Sequence, residues 1–281
     1  MASRMKDSAE REHALLRGGL RGRMAGGFCT LQGSVDALQR YLAANATPDV
    51  YEVARPMLEQ MTGRIAALER ISGNAAELAC GVLTWGAGEL APLELSGYLS
   101  ETLGCINEEL AIRGFDVRAT VEKDANPVWA MATTGLVDGI LVNLLSNLIQ
   151  IRPDGKMTLC LGPGRTLIYR DNGPGMDRKM TSLLLEEGKV PERLLDQGSV
   201  GLLMVREYAL AMEWTIHVED GDGMCIRFDL PEFDASAAIR PALWDTAAEG
   251  RGRAVMLADR LKRELDGVFG PAAGTGASGK D

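Results

Sequence analysis

The sequence predicts an α+β fold: an N-terminal antiparallel helical hairpin, paired between two copies as a four-helix bundle, followed by a two-layer sandwich of helices on a sheet. Three observations carry this. Apolar residues recur at steps of three and four through roughly the first 71 residues. From Pro92 onward, helical periods alternate with short period-two runs. Two glycine-centred segments, Gly162-Pro163-Gly164 and Asp220-Gly221-Asp222-Gly223, separate such runs and read as hairpin turns.

The first helix is expected over residues 8–44, where Leu16, Leu20, Met24, Phe28, Leu31, Val35, Leu38 and Leu42 form a near-heptad seam. Its glycines, among them Gly26, Gly27 and Gly33, each cost about 1 kcal/mol against alanine, so packing must compensate or the helix bends near Gly26-Gly27. Asn45 and Pro48 mark a turn. A second seam follows at Val53, Met57, Met61, Ile65, Leu68 and Ile71. Two such helices with a short connection fold back on each other. Their seams are then covered either by a second copy, which predicts a homodimer, or by the chain's own C-terminal domain. Residues 81–91 read as a linker. In the next segment, 92–232, helices are expected over Leu93–Arg113 and Thr134–Ile151, with strands near Phe115–Val121 and Trp129–Met131. Strand pairs are expected at Met157–Leu161 with Thr166–Arg170, and at Trp214–Glu219 with Met224–Leu230. Beyond, 233–281 is an extension with one amphipathic helix within Ala247–Val268 and a Gly-, Ala- and Ser-rich end. The hairpin domain itself is placed at 1–80. A length of 281 residues suits such a two-domain division.

Composition limits the function. The net charge of −9 argues against nucleic acid or an anionic membrane as partner. The excess of six Lys/Arg over three Asp/Glu in residues 1–24 is too small to make a basic arm. Five cysteines, scattered and without a CxxC pair, argue against zinc and suit reduced thiols in a cytosolic protein. No apolar run approaches the ~20 residues that span a bilayer, and a cytoplasmic location is expected.

Three motifs carry chemistry. Asn143 and Asn147 are four apart and share a helix face opposite Leu141, Leu144, Leu145 and Leu148. Their amide oxygens either ligate a hard cation such as Mg²⁺ or satisfy backbone groups. Asp171-Asn172-Gly173-Pro174-Gly175-Met176 follows a strand. A carboxylate delivered there can accept from an exocyclic amino group, with Gly173 and Gly175 letting the backbone approach a flat ring; an ordinary turn would use the same residues. Gln197-Gly198-Ser199-Val200-Gly201-Leu202 opens an apolar helix whose free N–H groups suit phosphate. A fourth string, Gly274 to Lys280, imitates a phosphate loop but lacks a strand before it and a helix after it.

In this order, the three motifs resemble those of the ATPase superfamily shared by histidine kinases, gyrase, heat-shock chaperones and mismatch-repair ATPases. Leu141 to Asn147 looks like the N box, Asp171 to Gly175 like the G1 box and Gly198 to Leu202 like the G2 box, over roughly residues 92–231. A preceding helical hairpin makes the histidine-kinase branch the best fit. The resemblance implies ATP and Mg²⁺ as cofactors, with Asn147 on Mg²⁺, Asn143 near the phosphates and Asp171 on the adenine amino group. Gly173, Gly175, Gly198, Gly201 and Leu202 would complete the nucleotide site, and residues 177–197 would form a lid. It also implies two-component signalling, with a response-regulator receiver domain and a second copy of the chain as partners.

Three departures qualify that reading. The lysine usual three residues after the Mg²⁺ asparagine is Gln150 here, with Arg152 nearby as a substitute charge. Only the last G2 glycine falls in register. The phosphoacceptor His-Glu-x-x-x-Pro motif is missing from the hairpin. The chain has two histidines. His217 alternates within a strand and reads as structural. His13, in Glu10-Arg11-Glu12-His13, is the remaining candidate phosphoacceptor. The sequence thus points to an ATP-dependent protein-histidine kinase, with a non-catalytic or phosphotransferase-like dimeric adaptor as the alternative; a kinase acting on serine fits the first 80 residues poorly.

Overall fold

The structure is a computed structural model that describes residue 24 and residues 26–79, 90–123, 127–162, 164–185, 199–232, 255–262 and 264–265. A helix over 26–45 (α1) is joined through Ala46 and Thr47 to Pro48–Ala79 (α2). Leu31, Val35 and Leu38 of α1 line one groove with Met61, Ile65 and Leu68 of α2. Two helices joined by two residues can do this only by folding back on each other. A Cβ added at Gly26, Gly27 or Gly33 would meet nothing within 4 Å, so no packing in the described chain offsets the helical cost of these glycines. The helix nonetheless continues through all three.

A two-stranded ribbon follows, in which Ala91–Glu94 (β1) pairs antiparallel with Trp129–Ala132 (β3). Leu95–Ile112 (α3) begins two residues later than the sequence suggests, because Ala91–Glu94 is spent on pairing. Glu94 then caps the helix, its two carboxylate oxygens accepting from the Ser96 and Gly97 N–H groups at 2.8 and 2.7 Å. The end of α3 displaces the next strand as well. Gly114 takes φ +78°, with Gly114 N donating to Ala111 O and Phe115 N to Leu110 O. That two-bond closure is a Schellman cap. It consumes Phe115, so the strand starts at Arg118 rather than Phe115 and runs Arg118–Lys123 (β2).

The remaining elements are Thr134–Ile151 (α4), Lys156–Gly162 (β4), Thr166–Asp171 (β5), Arg178–Leu185 (α5), Ser199–Ala211 (α6), Thr215–Glu219 (β6), Cys225–Asp229 (β7) and a C-terminal helix described over 255–262 and 264–265 (α7). The main sheet has the order β2-β4-β5-β7-β6; β2 is parallel to β4 and every other pair is antiparallel. Both hairpins expected from the glycine-centred turns are present. Alternation puts Met157, Leu159, Leu161, Leu167, Tyr169, Ile226 and Phe228 on one face, where they meet the helices in a single core. By length and composition α4 is a helix able to cross a membrane; here its apolar surface is buried in that core.

The C-terminal helix closes the structure. Leu257, Leu261 and Leu265 are buried in the same core. Arg260 donates to Gly135 O at 2.7 Å and to the Tyr208 hydroxyl at 2.8 Å, and its guanidinium lies 5.4 Å from the Tyr208 ring centroid. Gly139 on α4 leaves room for both side chains. At the far end, Glu264 pairs with Arg70 of α2 at 3.7 Å, their side chains only 11% and 3% exposed. α2 also packs on α6. The hairpin's second helix is therefore partly covered by the chain's own C-terminal part, whereas Val53, Met57, Met61 and Leu68 stay exposed.

Candidate functional site

The fold brings the N-box and G1 residues, and the G2-box glycine Gly201, to one end of the sheet. α4 carries Asn143, 2% exposed, and Asn147, 7% exposed. Asn143 Nδ2 donates to Gly139 O at 2.8 Å, which fixes the amide and turns its Oδ1 outward from the helix backbone. That Oδ1 has no hydrogen-bond partner, and neither Oδ1 nor Nδ2 of Asn147 has one. Buried amides without partners are costly, about 1–3 kcal/mol per unsatisfied group. Backbone bridging, the bland expectation for this pair, accounts for one of their four polar side-chain atoms.

α6 faces them. A Cβ added at Gly201 would lie 3.2 Å from Asn147 Oδ1 and 3.3 Å from Asn143 Oδ1. Glycine there lets the first turn of α6 reach the two carboxamides. Leu202, next along the helix, instead points into the core. Gly198 and His13 lie outside the described residues, as do residues 186–197 of the expected lid; within the part that is described, 177–185, Arg178–Leu185 is helical.

Asp171 ends β5. Its Oδ1 accepts from Gly173 N at 2.8 Å and Met224 N at 3.0 Å, and its Oδ2 accepts from the Tyr169 hydroxyl at 2.7 Å. Period two explains the last contact, since residues 169 and 171 share the inner face of the strand. Burial, then the Asp171 charge and their hydrogen bond, raise the Tyr169 phenol well above its ordinary value. Tyr169 is thereby held as a donor and Asp171 as its acceptor. Oδ2 keeps a free lone pair, which leaves room for one more donor. Sequence reasoning missed Tyr169 and Met224, although strand alternation was a signal for the first.

The glycines of this loop have separate tasks. Gly175 takes φ +80°, which only glycine adopts without strain. A Cβ at Gly173 would stand 3.1 Å from Asp171 Oδ1. Gly223, at the β6–β7 turn, abuts the Asp171 carbonyl so closely that any Cβ would overlap it. Asn172 is tied to β4, its Oδ1 accepting from Lys156 N at 2.7 Å. Arg152, the expected substitute charge, braces the same loop: its Nη1 donates to Asn172 O at 2.6 Å and its Nε lies 3.6 Å from Asp154.

Elsewhere, His217 Nε2 is 2.9 Å from Asp229 Oδ2 on the outer sheet face, remote in register from Asp171. No group of three or more His, Cys, Asp or Glu side chains suited to a metal occurs among the described residues. A cation at this site would be held through amide oxygens, and the orphaned oxygens of Asn143 and Asn147 fit that need.

Residues 135–234 match the family model described as histidine kinase-, DNA gyrase B- and HSP90-like ATPase. No curated protein matches the chain. Among solved structures, the catalytic domain of histidine kinase ThkA aligns at 17% identity over 51% of this chain and 97% of that one, with a TM-score of 0.41. Acinetobacter baumannii histidine kinase AdeS aligns at 16% identity over 74% of this chain and 96% of that one, with a TM-score of 0.44. Full-length ShkA in complex with AMPPNP aligns at 18% identity over 78% of this chain and 44% of that one, with a TM-score of 0.47.

Proposed function

We propose that this chain, whose residues 135–234 match the histidine kinase-, DNA gyrase B- and HSP90-like ATPase family model, binds ATP with Mg²⁺ and acts as a histidine-kinase-like protein of two-component signalling. The observation that carries the reading is the pairing of two unlike surfaces. One is a satisfied carboxylate, Asp171, with a lone pair to spare for an adenine amino group. The other is a buried amide pair whose oxygens lack partners. Asp171, Gly173 and Gly175 would take the base. Asn147 would hold Mg²⁺, with Asn143, Gly198 and Gly201 beside the phosphates. Mg²⁺ supplies positive charge to the phosphate oxygens when bound. The residues do the rest: α4 orients the metal oxygens, and Tyr169 fixes the carboxylate.

The hairpin, which we assign to residues 1–80, would dimerise as a four-helix bundle through the exposed Val53, Met57, Met61 and Leu68. A response-regulator receiver domain would be the phosphate recipient. One observation favours a second reading, a dimeric adaptor or pseudokinase: of the two histidines in the chain, His217 is engaged with Asp229, and α1 and α2 contain none. Incubation with γ-labelled ATP separates the readings. Acid-labile label that disappears in His13→Ala supports a kinase using that residue. Absence of label with intact ATP binding supports the adaptor.

A further inference from the structure

α7 lies beyond the residues 135–234 that match the family model, yet it is built into the core. Leu257, Arg260, Leu261, Glu264 and Leu265 recur at steps of three and four and form its buried or half-buried face, whereas Met256, Asp259 and Lys262 face solvent. A helix of about three turns is marginal in water by itself, so α7 is held helical by what it docks against. Docking and helix formation are then one event, and α7 is seated or released as a unit.

Two polar handholds sit one helical turn apart on that face. Arg260 reaches α4 and α6, donating to Gly135 O at 2.7 Å and to the Tyr208 hydroxyl at 2.8 Å. Its Nη2 and the Tyr208 ring occupy the space over Gly139, where an added Cβ would stand 2.6 Å from the first and 2.5 Å from the second. Gly139 O is the acceptor that fixes the Asn143 amide. Glu264 reaches the hairpin, pairing with Arg70 of α2 at 3.7 Å with both side chains nearly dry. The hairpin and the Asn143 turn thus bear on the same short helix.

We propose that α7 is a strap that couples the hairpin to the nucleotide site: Glu264 holds α2, Arg260 is a positioning residue for Asn143, and seating or release of the helix changes both together. The link to Asn143 rests on the nucleotide reading given above. A pull that draws α2 away from α6 loads the Arg70–Glu264 pair and unseats α7. Arg260 then leaves Gly139, and the turn that orients Asn143 loses its cover. The coupling is reciprocal: a nucleotide that needs Asn143 oriented stabilises the seated strap, and with it the hold on α2.

Hydrogen exchange of the full chain without ligand, read by mass spectrometry, tests the strap itself. Arg260→Met keeps the aliphatic stem and removes both hydrogen bonds. Exchange should quicken at least about tenfold in 255–262 and also around Arg70 on α2, with β4 and β5 unchanged. Arg260→Lys, which keeps the charge, should show a smaller rise in the same two segments; it decides if the Met variant also loses the protection of β4 and β5. Faster exchange in α7 with α2 unaffected overturns the strap. Calorimetric titration with ADP in Mg²⁺ tests the link to Asn143. Arg260→Met should lose at least about fivefold in affinity, and saturating ADP with Mg²⁺ should slow exchange around Arg70 in the wild type. Unchanged affinity in a variant whose strap is loosened overturns the link. Failure of the wild type to bind ADP in Mg²⁺ removes the nucleotide reading, and the strap then stands or falls on the ligand-free exchange alone.

Discussion

Asn147 holds two buried polar atoms with no partner, an arrangement that costs stability unless a ligand repays it. Asn147→Ala removes the cost along with some packing, so its stability should stay within about 1 kcal/mol of wild type. Nucleotide binding should be lost. Chemical denaturation checks the first half, and a loss of about 3 kcal/mol or more would mean that the side chain is structural. Tyr169 makes a second prediction. Its phenol is raised in the folded state by burial and Asp171, so the folded chain holds that proton more tightly than the unfolded one. The resulting stabilisation is fully present below about pH 10, the ordinary tyrosine value, and is lost as pH rises through the folded-state value. Denaturation at pH 8 and pH 11 should show wild type losing more stability than Tyr169→Phe. At this scale the placement of Asp171 at the end of β5, and of Asn143 and Asn147 four apart on α4, was legible because their spacing is local. Met224 was not, since its N–H reaches Asp171 from 53 positions away through β5–β7 pairing.

Elements were read best where a helix or strand is set by its own periodicity. α4 was legible to the residue, as its apolar run is bounded by Thr133 and Arg152. β1 was not, because Ala91–Glu94 becomes a strand only by pairing with β3, almost 40 positions later. The C-terminal helix was foreseen as amphipathic, but its role was invisible: what buries Leu257, Leu261 and Leu265 is the rest of the fold. Its Glu264 meets Arg70 of α2 in a nearly dry site. Removing one member of a buried pair leaves an uncompensated charge, at about 3–5 kcal/mol, whereas replacing both by apolar residues is often neutral. Glu264→Ala should therefore cost far more than the double change Arg70→Met with Glu264→Met. A double-mutant cycle in urea would measure the difference, and equal losses would contradict a coupled pair.

For the molecule as a whole, the chain's own C-terminal part covers one portion of α2 and leaves another portion exposed. α2 packs on α6, and its Arg70 pairs with Glu264 of α7. Farther toward its N-terminus, Met57 is 63% and Val53 69% exposed, and a second copy would cover them. Met57→Glu should then yield the 30.2 kDa monomer mass by light scattering with helicity retained; an unchanged mass distribution in the variant would place the interface elsewhere. The missing phosphoacceptor motif was as visible in the sequence as in the structure, because it is an absence of residues rather than of geometry. Titration of the wild-type chain with ATP in Mg²⁺, beside Asn147→Ala, tests the nucleotide pocket most directly. Saturable binding by the wild type and none by the variant is expected; no wild-type binding at millimolar ATP, or equal binding by both, would contradict a nucleotide pocket built on Asn147.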